Sequence, residues 1–210
     1  GNGGCFLTND KKYFERAKVL RSWGRMSSLL SDSENIKKRL GIKLKGVSYD
    51  KKFIFSEAGY NFEPSEIGAA FGLEQLKKFK LFAKIRNSNF NQHKLFFKKN
   101  NKYFIIPEVF KKKKTNFLAY PIIIKNNSIN RKKLQIFLEK NNIQTRTIFT
   151  GNILRQPIMR NLKYKAHKDS GRVANNVMKN GILLGCHQGL KQNEIDYMFN
   201  NIRKFLKKFG

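Results

Sequence analysis

Gly59-Tyr60-Asn61-Phe62-Glu63-Pro64-Ser65-Glu66-Ile67-Gly68-Ala69-Ala70 is the stretch from which the fold is read. A glycine turn leads into a polar amide. Pro64 then fits the first turn of a helix, where its missing N–H removes no bond. Ile67, Ala70, Phe71, Leu73, Leu76 and Phe79 recur at helical spacing. The pattern resumes through Phe82, Ile85 and Phe90 to about Phe97, after an expected break near residues 78–80. A helix of that length links two domains or packs across a dimer. The turn ahead of it can offer N–H donors to a phosphate. It can equally be an ordinary helix cap, and composition alone favours the cap.

Upstream, Gly1-Asn2-Gly3-Gly4 reads as a glycine-rich turn and Cys5–Thr8 as a short apolar strand. Asn9-Asp10 caps a helix expected over Lys11–Trp23. Residues 26–51 read as irregular and polar, and Phe53-Ile54-Phe55 as a brief strand or a buried loop. Downstream, strands are expected at Tyr103–Pro107, Ala119–Ile124, Ile143–Arg146 and Ile182–Leu184, with a basic loop at Lys111–Lys114. Pro121 points to an edge strand or a bulge. Helices are expected after Asn130, over Arg172–Asn180 and over Gln192–Lys207. Residues 101–210 therefore describe a compact α+β domain, preceded by a connecting helix over 79–100 and a further unit over 1–78.

With 210 residues, 40% hydrophobic and 13% aromatic, the chain can build a core. The formal charge of +30 ordinarily suggests nucleic acid or an anionic membrane surface. Only 11 of the 44 basic residues are Arg, however, and 33 are Lys, alongside heavy use of Asn, Ile and Phe. That mixture resembles the codon background of an AT-rich genome. Phosphate readers lean on the planar fork of Arg. A basic nucleic-acid-binding module is the alternative reading. It requires basic residues clustered with exposed aromatics, whereas Phe71, Phe79, Phe137, Phe199 and Phe205 read as apolar-face residues. Cys5 and Cys186 form no metal-binding pair, and a reducing cytoplasm fits best. No stretch is long and apolar enough to span a membrane. The sequence opens on Gly1 and reads as the middle of a domain, so a longer parent protein is expected.

The common catalytic templates are absent: no HExxH, GxSxG, P-loop or GxGxxG occurs. His93, His167 and His187 are too scattered for a metal site, and His93 reads as solvated or partly packed. Adjacent strand residues face opposite ways, which argues against a Cys186–His187 dyad. Two further loops remain. Thr145–Pro157 carries Arg146, Asn152, Arg155 and Gln156 in a Gly/Pro setting, a rim for an anion and a sugar or simply a solvated basic loop, with the chemistry even between them. Gly181–Leu190 is a strand end that opens onto a site or, the stronger reading, a turn into the last helix.

In order and spacing these segments resemble the DegT/DnrJ/StrS family of pyridoxal-phosphate-dependent sugar aminotransferases. The likeness covers the whole chain. Gly1-Asn2-Gly3-Gly4 is similar to the family's GEGG turn, and Leu20-Arg21-Ser22-Trp23-Gly24-Arg25 follows it. Gly59-Tyr60-Asn61 through Glu66-Ile67-Gly68-Ala69-Ala70 matches its GYN and E-I-x-A-A pattern, and Gly151-Asn152-Ile153-Leu154-Arg155-Gln156-Pro157 resembles the GNLxRQP of the RfbH-like 3-dehydrase branch. The resemblance implies an α/β protein: the C-terminal part of a fold-type I transferase, namely the end of the large α/β domain plus the small α+β domain. It implies pyridoxal 5'-phosphate as cofactor and a homodimer with shared active sites. The substrate implied is a nucleotide-linked 4-keto-6-deoxy sugar of surface polysaccharide (O-antigen) synthesis. Asn61 corresponds to the residue that reaches the partner's cofactor phosphate. Asn152, Arg155 and Arg146 are expected at the substrate. The catalytic residue, Lys in aminotransferases and His in dehydratases, is expected before Gly1, so none is assigned and this segment alone is expected to be inactive. Met26–Ser31 has no cysteine where the RfbH-type enzymes carry an iron–sulfur cluster, so a cluster-free dehydratase or a true aminotransferase is expected.

Overall fold

The computed structural model describes residues 3–109, 115–125, 129–167 and 170–210. The Gly1-Asn2 half of the expected glycine turn and the basic loop Lys111–Lys114 lie outside the described residues. The chain falls into two compact units, Gly1–Lys77 and Lys78–Gly210.

In the first unit, α1 (Lys11–Arg21) is capped by Asp10, whose carboxylate accepts the Lys12 and Tyr13 N–H groups. It stops before the expected Trp23, because Trp23 (φ 57) and Gly24 (φ 84) enter the left-handed region. Residues 26–51, expected to be irregular, hold a short helix α2 (Ile36–Leu40) and a hairpin of β1 (Ile42–Leu44) and β2 (Val47–Tyr49). The hairpin turns through Lys45 (φ 51) and Gly46 (φ 87), two consecutive positive-φ residues that suit the twist of the paired strands. The expected strand at Cys5–Thr8 does not form. Phe6 and Leu7 are exposed, and an extended segment with no neighbour gains no ladder bonds. Phe53 closes a 3-10 turn (Lys51–Phe53), Ile54 is buried, and Phe55 makes a single bridge to Arg25.

The helix α3 (Glu66–Lys99) runs without the break expected near residue 79. Lys78, Phe79 and Lys80 include neither Gly nor Pro, and Lys is a good helix former. Pro64 lies just outside it. Phe71 and Phe79, expected on a packed face, are exposed.

In the second unit, β3 (Phe104–Ile105), β4 (Ala119–Ile124), β5 (Thr145–Arg146) and β6 (Gly181–Gly185) form an antiparallel sheet in the order β3-β4-β6-β5. Pro121 therefore sits in an interior strand in unbroken register, neither at the edge nor at the bulge expected. It pairs with Leu183, and the two-residue β3 covers β4 only at Ile123 and Ile124. Strand alternation puts Tyr120, Ile122 and Ile124 on the buried face of β4, level with Leu184 and Ile182 of β6. Against them pack Phe90, Phe96 and Phe97 from α3, Leu134 and Leu138 from α4 (Arg131–Lys140), and Ile195, Met198, Phe199, Ile202 and Phe205 from α6 (Gln192–Phe209). The helix α5 (Ser170–Asn180) packs against β4 and β6.

Candidate functional site

Asn61 is presented by a segment whose backbone is fixed on both sides. The Tyr60 N–H donates to the Leu20 carbonyl (2.7 Å), the Trp23 N–H to Tyr60 (2.9 Å), and the Phe62 N–H to Arg21 (2.9 Å). Ser22 and Asn61 form the bridge at the centre of this short ladder. The Tyr60 and Phe62 rings stack with centroids 5.0 Å apart, so alternation sends the Asn61 side chain to the opposite side. That side chain is exposed, and its amide makes no hydrogen bond among the described residues. Two glycines allow the close approach. A β-carbon on Gly24 would lie 1.8 Å from the Glu57 carbonyl oxygen, and one on Gly59 2.1 Å from the Gly24 nitrogen. Nearby in sequence, the Arg25 guanidinium stacks over the Trp23 ring at 4.2 Å, and its buried Nε has no hydrogen-bond partner among the described residues. The Arg25 Nε is turned inward, so the open Asn61 amide is the donor here that can hold the phosphate end of pyridoxal phosphate.

The second unit brings Asn152 and Arg155 together on one 3-10 turn (Ile153–Arg155), in which the Arg155 N–H donates to the Asn152 carbonyl (3.0 Å). The two differ sharply in setting. Arg155 is exposed. Asn152 is buried: its Oδ1 accepts the Leu154 N–H (3.0 Å) and its Nδ2 donates to Asn175 Oδ1 (2.9 Å). The Gln156 amide reaches back to the Thr150 carbonyl (3.0 Å) and closes the loop.

Arg146 stands apart from that turn. It lines a cleft of about 720 Å³ with His187, Leu190, Glu194 and Tyr197, which Asn152 and Arg155 do not line. Its strand is fastened by Glu139, whose carboxylate accepts both the Thr145 N–H (2.6 Å) and hydroxyl (2.8 Å). Those bonds hold the Glu139 carboxyl below its usual range.

His93 is fully buried, contrary to the solvated or partly packed role expected of it. Its Nδ1 lies 2.7 Å from the Asn89 carbonyl, and Nε2 faces the Gly185 backbone without a well-formed bond. Burial lowers its pKa, raises that of Tyr120, and pushes the Cys186 thiol up to about 11. Cys186 turns inward toward the Arg86 carbonyl (3.8 Å), while His187 is exposed and accepts the Gly189 N–H. His93, Tyr120 and Cys186 belong to the core. Among the described residues no cluster of three His, Cys, Asp or Glu side chains could hold a metal, and no helix is long and apolar enough to cross a membrane.

Sequence reasoning named Gly59 as a turn and Ser22 and Gly24 as part of a motif, but missed that the two glycines meet and that Ser22 bridges Asn61, and it missed Asn175. A glycine directly after a helix signals a left-handed cap, which could have exposed Gly24. Asn175 leaves no such signal.

Comparison with protein families matches residues 1–203 to the DegT/DnrJ/EryC1/StrS aminotransferase family, and the chain belongs to that family. It is 29% identical over 211 residues to the dTDP-4-dehydro-2,6-dideoxy-D-glucose 3-dehydratase of Saccharopolyspora spinosa, covering 99% of this chain and 46% of the relative. It is 30% identical to the lipopolysaccharide biosynthesis protein RfbH of Salmonella typhimurium, covering 98% and 48%. The solved E. coli GDP-4-keto-6-deoxy-D-mannose-3-dehydratase with bound hydrated PLP shares its fold at a TM-score of 0.73 and 26% identity, covering 93% of this chain and 48% of that one. The chain thus spans about half the length of the relatives it matches, and the fold expected from the resemblance, part of an enzyme of this class, is met.

Proposed function

We propose that the chain is part of a pyridoxal-phosphate-dependent enzyme acting on a nucleotide-linked 4-keto-6-deoxy sugar in surface polysaccharide synthesis, as an aminotransferase or a 3-dehydratase. The observation that carries the reading is the family match over residues 1–203. The cofactor, when bound, supplies the electron sink for negative charge beside the nitrogen it carries. In this reading Asn61 donates from its amide to the cofactor phosphate of a partner subunit. Arg155 meets the anionic part of the substrate, Asn152 serves that contact by capping the turn that carries Arg155, and Arg146 offers a second cation from its own cleft.

A homodimer is part of the proposal, supported by apolar side chains such as Ile67, Phe71 and Leu76, which are 85%, 65% and 67% exposed in the single chain. So are the cytoplasmic setting and the division into a cofactor-domain portion (1–78), a connecting helix (79–100) and a small domain (101–210). The match to sugar-modifying relatives gives no support to a nucleic-acid-binding module.

The test is made on the intact protein. Pyridoxal phosphate is added, borohydride follows, and the polypeptide is mapped by mass spectrometry. A lysine carrying the reduced cofactor supports aminotransfer. Tight binding with all cofactor released on denaturation supports dehydration. Absence of cofactor binding overturns the reading.

A further inference from the structure

We propose that Asn175 is a positioning residue for the substrate loop: through the side chain of Asn152 it holds the turn that carries Arg155. The inference rests on the reading of Arg155 as the substrate's anion contact.

Asn152 lies inside the loop that was expected to touch substrate, yet both ends of its carboxamide are occupied within the protein. Its oxygen caps the 3-10 turn through the Leu154 N–H, and its nitrogen is spent on Asn175. Asn152 as a whole is only 4% exposed, so loss of Asn175 leaves a buried carboxamide short of a partner. The surrounding backbone is built to bring the two amides together. Gly151 adopts φ +62, and a β-carbon there would lie 2.6 Å from Cβ and Cγ of Met178, one helical turn beyond Asn175 on α5. A β-carbon on Gly171 would lie 3.5 Å from the Asn175 amide nitrogen and 3.9 Å from that of Asn152, so the space above the pair is small. At the start of the loop Ile148 is seated over Gly181, where α5 meets β6.

Arg155 itself makes no hydrogen bond through its side chain among the described residues. Its direction is set by a three-residue turn, and among the described residues the side-chain hydrogen bond that ties that turn to α5 is Asn152 to Asn175. A guanidinium placed for an anion must be held in place before the anion arrives, or ordering it weakens binding. Asn175 supplies that hold without meeting the substrate.

The test is a double-mutant cycle read by calorimetry on the intact protein. GDP, dTDP, CDP and UDP are titrated, and the tightest binder becomes the probe. Arg155→Ala is expected to weaken it by about tenfold or more. Asn175→Ala is expected to weaken it about fivefold, with cofactor binding unchanged. Asn175→Asp, which keeps the accepting oxygen, is expected to bind within about twofold of the parent, and Asn175→Ala adds nothing to Arg155→Ala. If Asn175→Ala does not fold, Asn175→Ser, too short to span the gap, is expected to show the same loss. Parent-like binding by Asn175→Ala or Asn175→Ser, or an equal loss on top of Arg155→Ala, overturns the positioning role while leaving Arg155 in place. Unchanged binding by Arg155→Ala, or no binding of any of the four diphosphates, overturns the reading of Arg155, and the role of Asn175 falls with it.

Discussion

Gly24 and Gly59 approach each other so closely that a β-carbon on Gly59 would lie 2.1 Å from the Gly24 nitrogen. The contact lets the segment before α3 lie against the end of α1, and the Asn61 ladder depends on it. Gly59→Ala inserts a methyl group where the neighbour is backbone and cannot yield. Such overpacking costs about 1–3 kcal/mol. Amide exchange at Trp23, Tyr60 and Phe62, the three donors of the ladder, is expected to accelerate about tenfold or more, and the emission of Trp23, the one tryptophan, to shift. Unchanged exchange would mean that the backbone absorbs the methyl.

Asn61→Ala removes one donor and leaves its backbone bridge intact. Loss of a hydrogen bond to a charged phosphate corresponds to about 1.5–3 kcal/mol. Absorbance titration of the intact protein with pyridoxal phosphate is expected to show binding weakened about tenfold or more. Unaltered affinity would remove Asn61 from the cofactor.

His93 gives the second unit an acid sensitivity. The unfolded chain takes up the proton near the ordinary imidazole value of about 6.5, while the buried folded form resists it to lower pH. The unfolded state therefore binds more protons in that window, and stability falls as pH drops below about 6.5, by up to about 1.4 kcal/mol per pH unit. The loss levels off once the folded imidazole also charges. Urea midpoints at pH 8, 6.5 and 5 check the slope, which His93→Phe is expected to flatten between pH 6.5 and 5.

The two cysteines should separate by reactivity. Cys186 is buried with its thiol pushed up to about 11, whereas Cys5 is exposed. A thiol reagent at pH 8 is expected to label only Cys5 in the folded chain and both cysteines in urea. Rapid labelling of Cys186 without denaturant would show that the core opens readily.

The charge makes a contrary prediction for nucleic acid. Compositional lysine gives weak binding to random-sequence DNA that disappears by moderate salt. Tight binding in a gel shift, with a steep salt dependence, would revive the basic-module reading.

Periodicity made the second unit legible. The alternation in β4 and the apolar stripe of α6 each have a face whose burial follows from spacing alone. The first unit was read less well, because hairpin β1–β2 turns on Lys45-Gly46 within a polar stretch that offers little periodic signal. The expected strand at Cys5–Thr8 failed because apolar residues indicate extended structure without naming a partner strand. Asn61 and Arg155 were legible as motif residues, and both side chains are exposed. The inward turn of Asn152 was not, since a carboxamide in a loop reads the same whether it faces solvent or Asn175. His93 was misjudged because a polar residue on a mixed helix face takes its surroundings from elements a hundred residues away.

That distance also orders the birth of the fold. Arg86 bonds Gln188 across 102 positions, and Asn89 bonds His187 across 98. Phe96 stacks on Phe199, and Phe97 shares its core with Phe205. On the ribosome the second half of α3 emerges long before its covering does. Phe90 and Phe97 meet Phe104, Phe117 and Tyr120 first, but Phe96 must wait for its stacking partner Phe199 until α6 has cleared the exit tunnel. A chain stalled before Ile195 leaves Phe96 without that cover, which makes the last helix the latch of the unit and its absence an invitation to chaperones.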